Sequence, residues 1–151
     1  MQRVFKEHEL WVNSNGAEGE RGVIEGEDLK LVDLAKRNLS GAVIKDCDLS
    51  EANLSGALLV MTEMPGVNLS NAKLEKAWLV GTNLRGANLA GAHIDGAIFK
   101  ATEMIDRRGN KTGQLQKPNL DNANLKGVDL SKVDLSQCST DKTIFDIKKS
   151  A

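Results

Sequence analysis

From Leu29 to Met104 every fifth residue is a large aliphatic side chain or phenylalanine, sixteen positions out of sixteen, and eleven of them are leucine. The others are Ile44, Met64, Ile94, Phe99 and Met104. Two residues before each of these centres the side chain is small from Ala42 through Thr102, always Ala, Cys, Thr or Val. Two residues after the centre, glycine recurs at Gly41, Gly56, Gly66, Gly81, Gly86, Gly91 and Gly96, where a tight turn needs a permissive backbone. On an α-helix a step of five residues advances about 500°, so successive leucines fall about 140° apart and no single buried stripe forms. On a straight strand an odd step alternates faces, which sends every second leucine into solvent. Both conflicts vanish if the chain turns a corner every five residues. The pattern therefore predicts short extended segments that coil around their own core, with the centre and the small residue two before it pointing inward.

A weaker period of twenty sets the size of each coil. Thr62-Glu63-Met64, Thr82-Asn83-Leu84 and Thr102-Glu103-Met104 recur at that interval, as do Leu58-Leu59-Val60, Trp78-Leu79-Val80 and Ile98-Phe99-Lys100. Four five-residue units then make one coil. The units Ala52-Asn53-Leu54-Ser55-Gly56 and Ala87-Asn88-Leu89-Ala90-Gly91 resemble the A-(D/N)-L-x-x repeat of the pentapeptide-repeat family. The resemblance covers roughly residues 22 to 145. It implies an all-β solenoid, a right-handed four-sided parallel β-helix, and the usual handedness of parallel crossovers agrees. The expected organisation is an N-terminal helical cap and linker over residues 1–21, a β-helix of about four coils over 22–104, an inserted basic loop over 105–117, and final coils with a C-terminal cap over 118–151.

The leader lacks the repeat. Val4, Phe5, His8, Trp11 and Val12 share one helical stripe, and Asn13-Ser14-Asn15-Gly16 is a helix stop signal. His8-Glu9-Leu10-Trp11 is similar to leaders that precede the repeats in many bacterial members of the family. His8 is expected to pack in the cap. Glu27 and Arg37 occupy positions of the first coil that elsewhere are small and inward; they either meet across the lumen or escape to water, and escape is favoured because a buried ion pair is costly. After Met104 the register breaks and returns with Leu120, Leu125, Leu130 and Leu135. If Leu120 takes the side of Leu29, Leu49, Leu69 and Leu89, eleven residues are inserted, with a turn at Gly109-Asn110. A Lys148-Lys149 tail follows the last repeats.

The chain is 151 residues long, 40% hydrophobic and 27% charged, which suits one folded domain; with only 3% aromatic residues its core must be aliphatic. Formal net charge is −1. Residues 1–28 carry three basic and seven acidic groups, so residues 29–151 carry seventeen basic and fourteen acidic ones. That balance is neither the basic footprint of a nucleic-acid binder nor the acidic surface of a DNA mimic, so direct nucleic-acid binding is not expected. Cys47 and Cys138 fit no metal spacing and make a poor disulfide framework, and no apolar run spans a bilayer or heads a secretory signal, so a cytoplasmic protein with no membrane partner is expected.

No catalytic, cofactor or metal site can be assembled. His8 and His93 are far apart, the serines after many centres belong to the repeat, and Asp28 and Asp48, with Asn68, Asn88 and Asn119, read as a solvated column. A filled rod offers flat sides, which suit protein partners. The expected function is a non-enzymatic interaction module. The resemblance implies an alternative, since quinolone-resistance members of the family act on DNA gyrase, and an enzyme is the least expected class. The candidate protein interface is the apolar side built from Leu58, Trp78 and Ile98 before the centres and Val60 and Val80 after them, where a second copy of the chain is one expected partner. The candidate loop contacts are Arg107, Arg108, Lys111 and Lys117, beside Asp106.

Overall fold

The structure, a computed structural model, describes residues 1–146. It contains one helix, α1 (Gln2–Asn13), and four short strands, β1 (Val23–Glu25), β2 (Val43–Lys45), β3 (Thr102–Ile105) and β4 (Lys111–Gln116). β1 and β2 are parallel and pair with an offset of twenty residues, as in Ile24↔Ile44. Elsewhere the same offset is kept by single parallel bridges, for example Asp28↔Asp48, Asp48↔Asn68 and Asn68↔Asn88. Each extended piece is only a few residues long between corners, so a coil contributes one bridge per piece instead of a continuous strand. The solenoid is built of twenty-residue coils, each with four five-residue units.

Two hydrogen bonds repeat at each centre from Leu29 to Leu89. The centre donates to the coil ahead, as Leu49 N–H does to the Asn68 carbonyl at 2.7 Å, and the residue before the next centre donates back, as Asn68 N–H does to Cys47 at 2.9 Å. The corners are four-residue turns: Ala42 N–H donates to the Leu39 carbonyl at 3.0 Å, with Gly41 at φ +73° in the third position. The centres from Leu29 through Phe99 are all buried, as are the small residues two before them from Ala42 through Ala97. Where that small residue is polar its hydroxyl is satisfied by a backbone carbonyl one coil back. Thr62 Oγ1 donates to Leu39 at 2.8 Å and Thr82 Oγ1 to Leu59 at 2.6 Å.

The register break differs from the sequence expectation. Asn119 bridges Asn83 and Asn124 bridges Asn88, an offset of thirty-six residues in place of twenty, so sixteen residues are inserted instead of eleven. Leu120 resumes the line of Ile44, Met64 and Leu84, and the column of Asp48, Asn68 and Asn88 continues through Asn124, not Asn119. The physical reason is that Met104 leaves the lumen. It lies only partly buried in β3, which pairs antiparallel with β4 through Thr102↔Gln116 and Ile105↔Lys111. The segment expected as a basic loop is thus mostly a β-hairpin that starts at Thr102. Its base packs on a corner of the solenoid, where a Cβ on Gly81 would meet Met61 Sδ at 2.8 Å, Thr102 Cγ2 at 3.1 Å and Gln116 Cγ at 3.2 Å.

α1 lies against the first coil. Phe5 joins the buried core, and Gly16 N–H closes the helix on the Trp11 carbonyl at 2.7 Å. Glu27 is exposed and Arg37 turns to α1 instead of crossing the lumen: its guanidinium lies 5.8 Å from the Phe5 ring centroid and 3.3 Å from Glu9 Oε1. At the other end Leu130, Leu135 and Cys138 are half-buried and Phe145 is exposed. The Lys148-Lys149 tail lies outside the described residues.

Candidate interaction face

Leu58, Trp78 and Ile98 form one bridged column, Leu58↔Trp78↔Ile98. Backbone bonds lock it: Trp78 N–H donates to Ala57 and Ile98 N–H to Ala77, each at 2.9 Å. Because Leu59, Leu79 and Phe99 fill the core, the residues on either side of them must point outward. Trp78 is 48% exposed, while Leu58 and Ile98 are half-buried beside it. Val60 and Val80, on the far side of the centres, are half-buried as well, and Lys100 is exposed.

Val60 is drawn into a second feature that the pattern did not foretell. An open groove of about 660 Å³ runs between the C-terminal end of α1 and the hairpin, lined by Trp11, Val12, Gly41, Val60, Met61 and Ile105, among others. Trp11 lies over Gly41, where a Cβ would stand in ordinary contact with the indole at 3.5 Å. Ile105 and Leu115 of the hairpin are 65% and 61% exposed. The only sequence signal for this groove was the register break, which says that a segment leaves the solenoid but not where it goes.

The hairpin tip is set by Asp106. Its carboxylate accepts the N–H of Arg108 at 2.8 Å and of Asn110 at 2.9 Å, and Gly109 follows at φ +84°. These bonds, the Asn110 N–H foremost, hold the Asp106 carboxyl below the usual carboxylate range. Arg107 and Arg108 project from this turn with no ion pair among the described residues, whereas Lys111 Nζ is paired with Glu103 at 3.1 Å. Lys117 is exposed just beyond β4.

The carboxylates of the repeat have structural roles. Asp48 accepts the Ser50 N–H at 3.0 Å, Asn68 Nδ2 at 3.2 Å and Lys30 Nζ at 3.5 Å, and the Ser50 bonds chiefly hold its carboxyl below the usual range. The same bond to the N–H two residues ahead is made by Asp28, Asp33, Asn38, Asn53 and Asn88, which explains why Asp or Asn recurs before half of the centres. Among the described residues no three His, Cys, Asp or Glu side chains stand together as metal ligands, and no helix is long and apolar enough to cross a membrane.

Several solved structures are similar to this chain. A pentapeptide repeat protein from the Arabidopsis thaliana thylakoid lumen is 22% identical over 72% of this chain and 61% of its own, with a TM-score of 0.49. This chain therefore spans less than two thirds of that protein. QnrB1, described as a plasmid-mediated fluoroquinolone resistance protein, is 14% identical over 82% of this chain and 84% of its own, with a TM-score of 0.50. A pentapeptide repeat protein from Nostoc PCC 7120 is 21% identical over 93% of both chains, with a TM-score of 0.45. At these identities the likeness concerns the fold. No curated protein matches the chain. A family model described as pentapeptide repeats matches in eight copies, over residues 28–62, 68–104 and 114–139. With most of its length in that match, the chain belongs to the pentapeptide-repeat family.

Proposed function

We propose that this protein is a right-handed, four-sided β-helix, capped by α1, that acts in the cytoplasm as a non-enzymatic protein-interaction module. Its docking face is the side carrying Leu58, Val60, Trp78, Val80 and Ile98, with Arg107, Arg108, Lys111 and Lys117 of the neighbouring hairpin segment as polar contacts. The observation that carries this reading is Trp78. A tryptophan left nearly half exposed at the centre of a rigid apolar column is the kind of residue on which binding energy concentrates. The partner is a protein surface, and a second copy of the chain is the simplest one, because an isologous patch needs no other component.

The test is the double variant Trp78→Lys with Val80→Glu. Circular dichroism should be unchanged, since both side chains point away from the core, while dimerisation or capture of a partner from native lysate is lost. A double variant that associates as the parent does would remove this face from consideration. A second reading is favoured by the likeness to QnrB1 together with a hairpin projecting from the rod. In that reading the partner is DNA gyrase, and supercoiling by purified gyrase would respond to this protein. A surface with an excess of basic groups over residues 29–151 speaks against it.

A further inference from the structure

His8 sits on the inner face of α1 with 1% of its surface exposed. Its Nδ1 accepts the Gly22 N–H at 3.0 Å, and its ring stacks on Trp11 at 5.6 Å. A neutral imidazole has one acceptor nitrogen and one donor nitrogen. With Nδ1 accepting, the hydrogen resides on Nε2, which is buried without a hydrogen-bond partner among the described residues. The contact is close by construction: a Cβ on Gly22 would come within 3.2 Å of His8 Cβ and Cγ. α1 itself has no side-chain N-cap and no acidic residue in its first turn, and at twelve residues it is too short to persist alone in water. Its helicity therefore depends on what holds it to the first coil.

We propose that His8 is an acid-sensitive latch: a second proton, taken from solvent at Nδ1, removes the acceptor of the Gly22 N–H and frees α1 from the first coil. The surroundings favour the neutral ring. Burial is the largest influence and lowers the pKa of His8 below its ordinary 6.5; Arg21, in the loop after α1, acts in the same direction. The carbonyls of Leu39 and Ser40, on the solenoid side, and Glu9, on α1, act the other way. Glu9 is at the same time engaged by Arg37 of the first coil. Well above pH 6.5 the ring is neutral whether α1 is docked or free, and docking has its full strength. Below 6.5 the free helix takes up the proton first, so the docked state loses ground as pH falls through its own lower pKa. Release takes Trp11 off Gly41 and out of the groove it shares with Val60 and Ile105. The inference is independent of the partner reading above.

The experiment is hydrogen exchange on the full chain between pH 8 and pH 5, corrected for the intrinsic pH dependence of exchange, with His8→Asn as the reference. The Asn amide oxygen can accept the same N–H but does not titrate. Peptides covering residues 2–22 should lose protection at least tenfold toward pH 5 while those covering 47–99 keep theirs, and in His8→Asn the loss should be absent. Unchanged protection of residues 2–22, an equal loss in His8→Asn, or simultaneous loss across 47–99 would each overturn the latch. If His8→Asn fails to dock at pH 8, the His8 ring is followed by NMR in the parent. A release midpoint that coincides with its titration supports the proposal, and one that does not overturns it.

Discussion

At the position two before each centre, alanine and leucine differ by more volume than the lumen can absorb. Ala72 has no exposed surface and its equivalents almost none, and each lies between buried centres on consecutive sides, within an interior packed as densely as a crystal. Ala72→Leu is expected to destabilise by about 1 to 3 kcal/mol, a loss of several degrees in Tm for a domain of this size. Ser70, partly exposed beside Leu69, should accept replacement without a measurable shift. Thermal melts of the two variants check the assignment, and equal melting temperatures would contradict it. At this scale Asp28, Asp48, Asn68 and Asn88 were legible as a column but not as turn formers, because the bond of Asp48 or Asn68 to the N–H two residues ahead depends on the corner geometry.

Among the elements, the hairpin is the one the solenoid does not need for its ladder. Leu84 N–H reaches Asn119 at 2.8 Å and Leu89 N–H reaches Asn124 at 2.8 Å, so the coils close over the insertion without help from β3 and β4. Replacing residues 105–115 by a two-residue turn should leave Tm within a few degrees, since shortening a surface excursion changes closure entropy little. Cutting further, to remove Thr102 and Gln116, should lower it, because those side chains cover the Gly81 corner. Differential scanning calorimetry on the two deletions separates the projecting part from its base. Equal losses would mean that the whole hairpin packs as core.

For the molecule as a whole the exposed ends matter most. Phe5 of α1 belongs to the buried core, and Glu9 of α1 pairs with Arg37 of the first coil. Removing residues 1–16 takes away the buried Phe5 side chain and the Arg37–Glu9 pair and leaves an uncovered parallel edge, a template for association with another chain. The truncated protein should elute earlier than the parent in size-exclusion chromatography, or precipitate. Elution as a stable monomer would show that the leader is dispensable to the solenoid.

What the sequence determined by itself is everything that follows from repetition. A centre every five residues, a small residue two before it and a coil of twenty can be read without coordinates, because each unit meets the same neighbours as the one before and local spacing dictates the long-range contact. The end of the pattern was readable too, but the sequence places the break after Met104 whereas the hairpin starts at Thr102 and takes Met104 with it. The tertiary structure alone decided where the non-repeating parts go. No period says that Leu120 should follow Leu84 instead of Leu89; that choice depends on Met104 exchanging the lumen for an antiparallel hairpin. Nor does a period place Arg37 against Glu9 and Phe5, or bring Trp11 and Ile105 to one groove from positions more than ninety residues apart. Those contacts are set by where a helix and a hairpin fold back onto the rod, and the energy that chooses among the possible landing places belongs to surfaces that exist only once the coils are stacked.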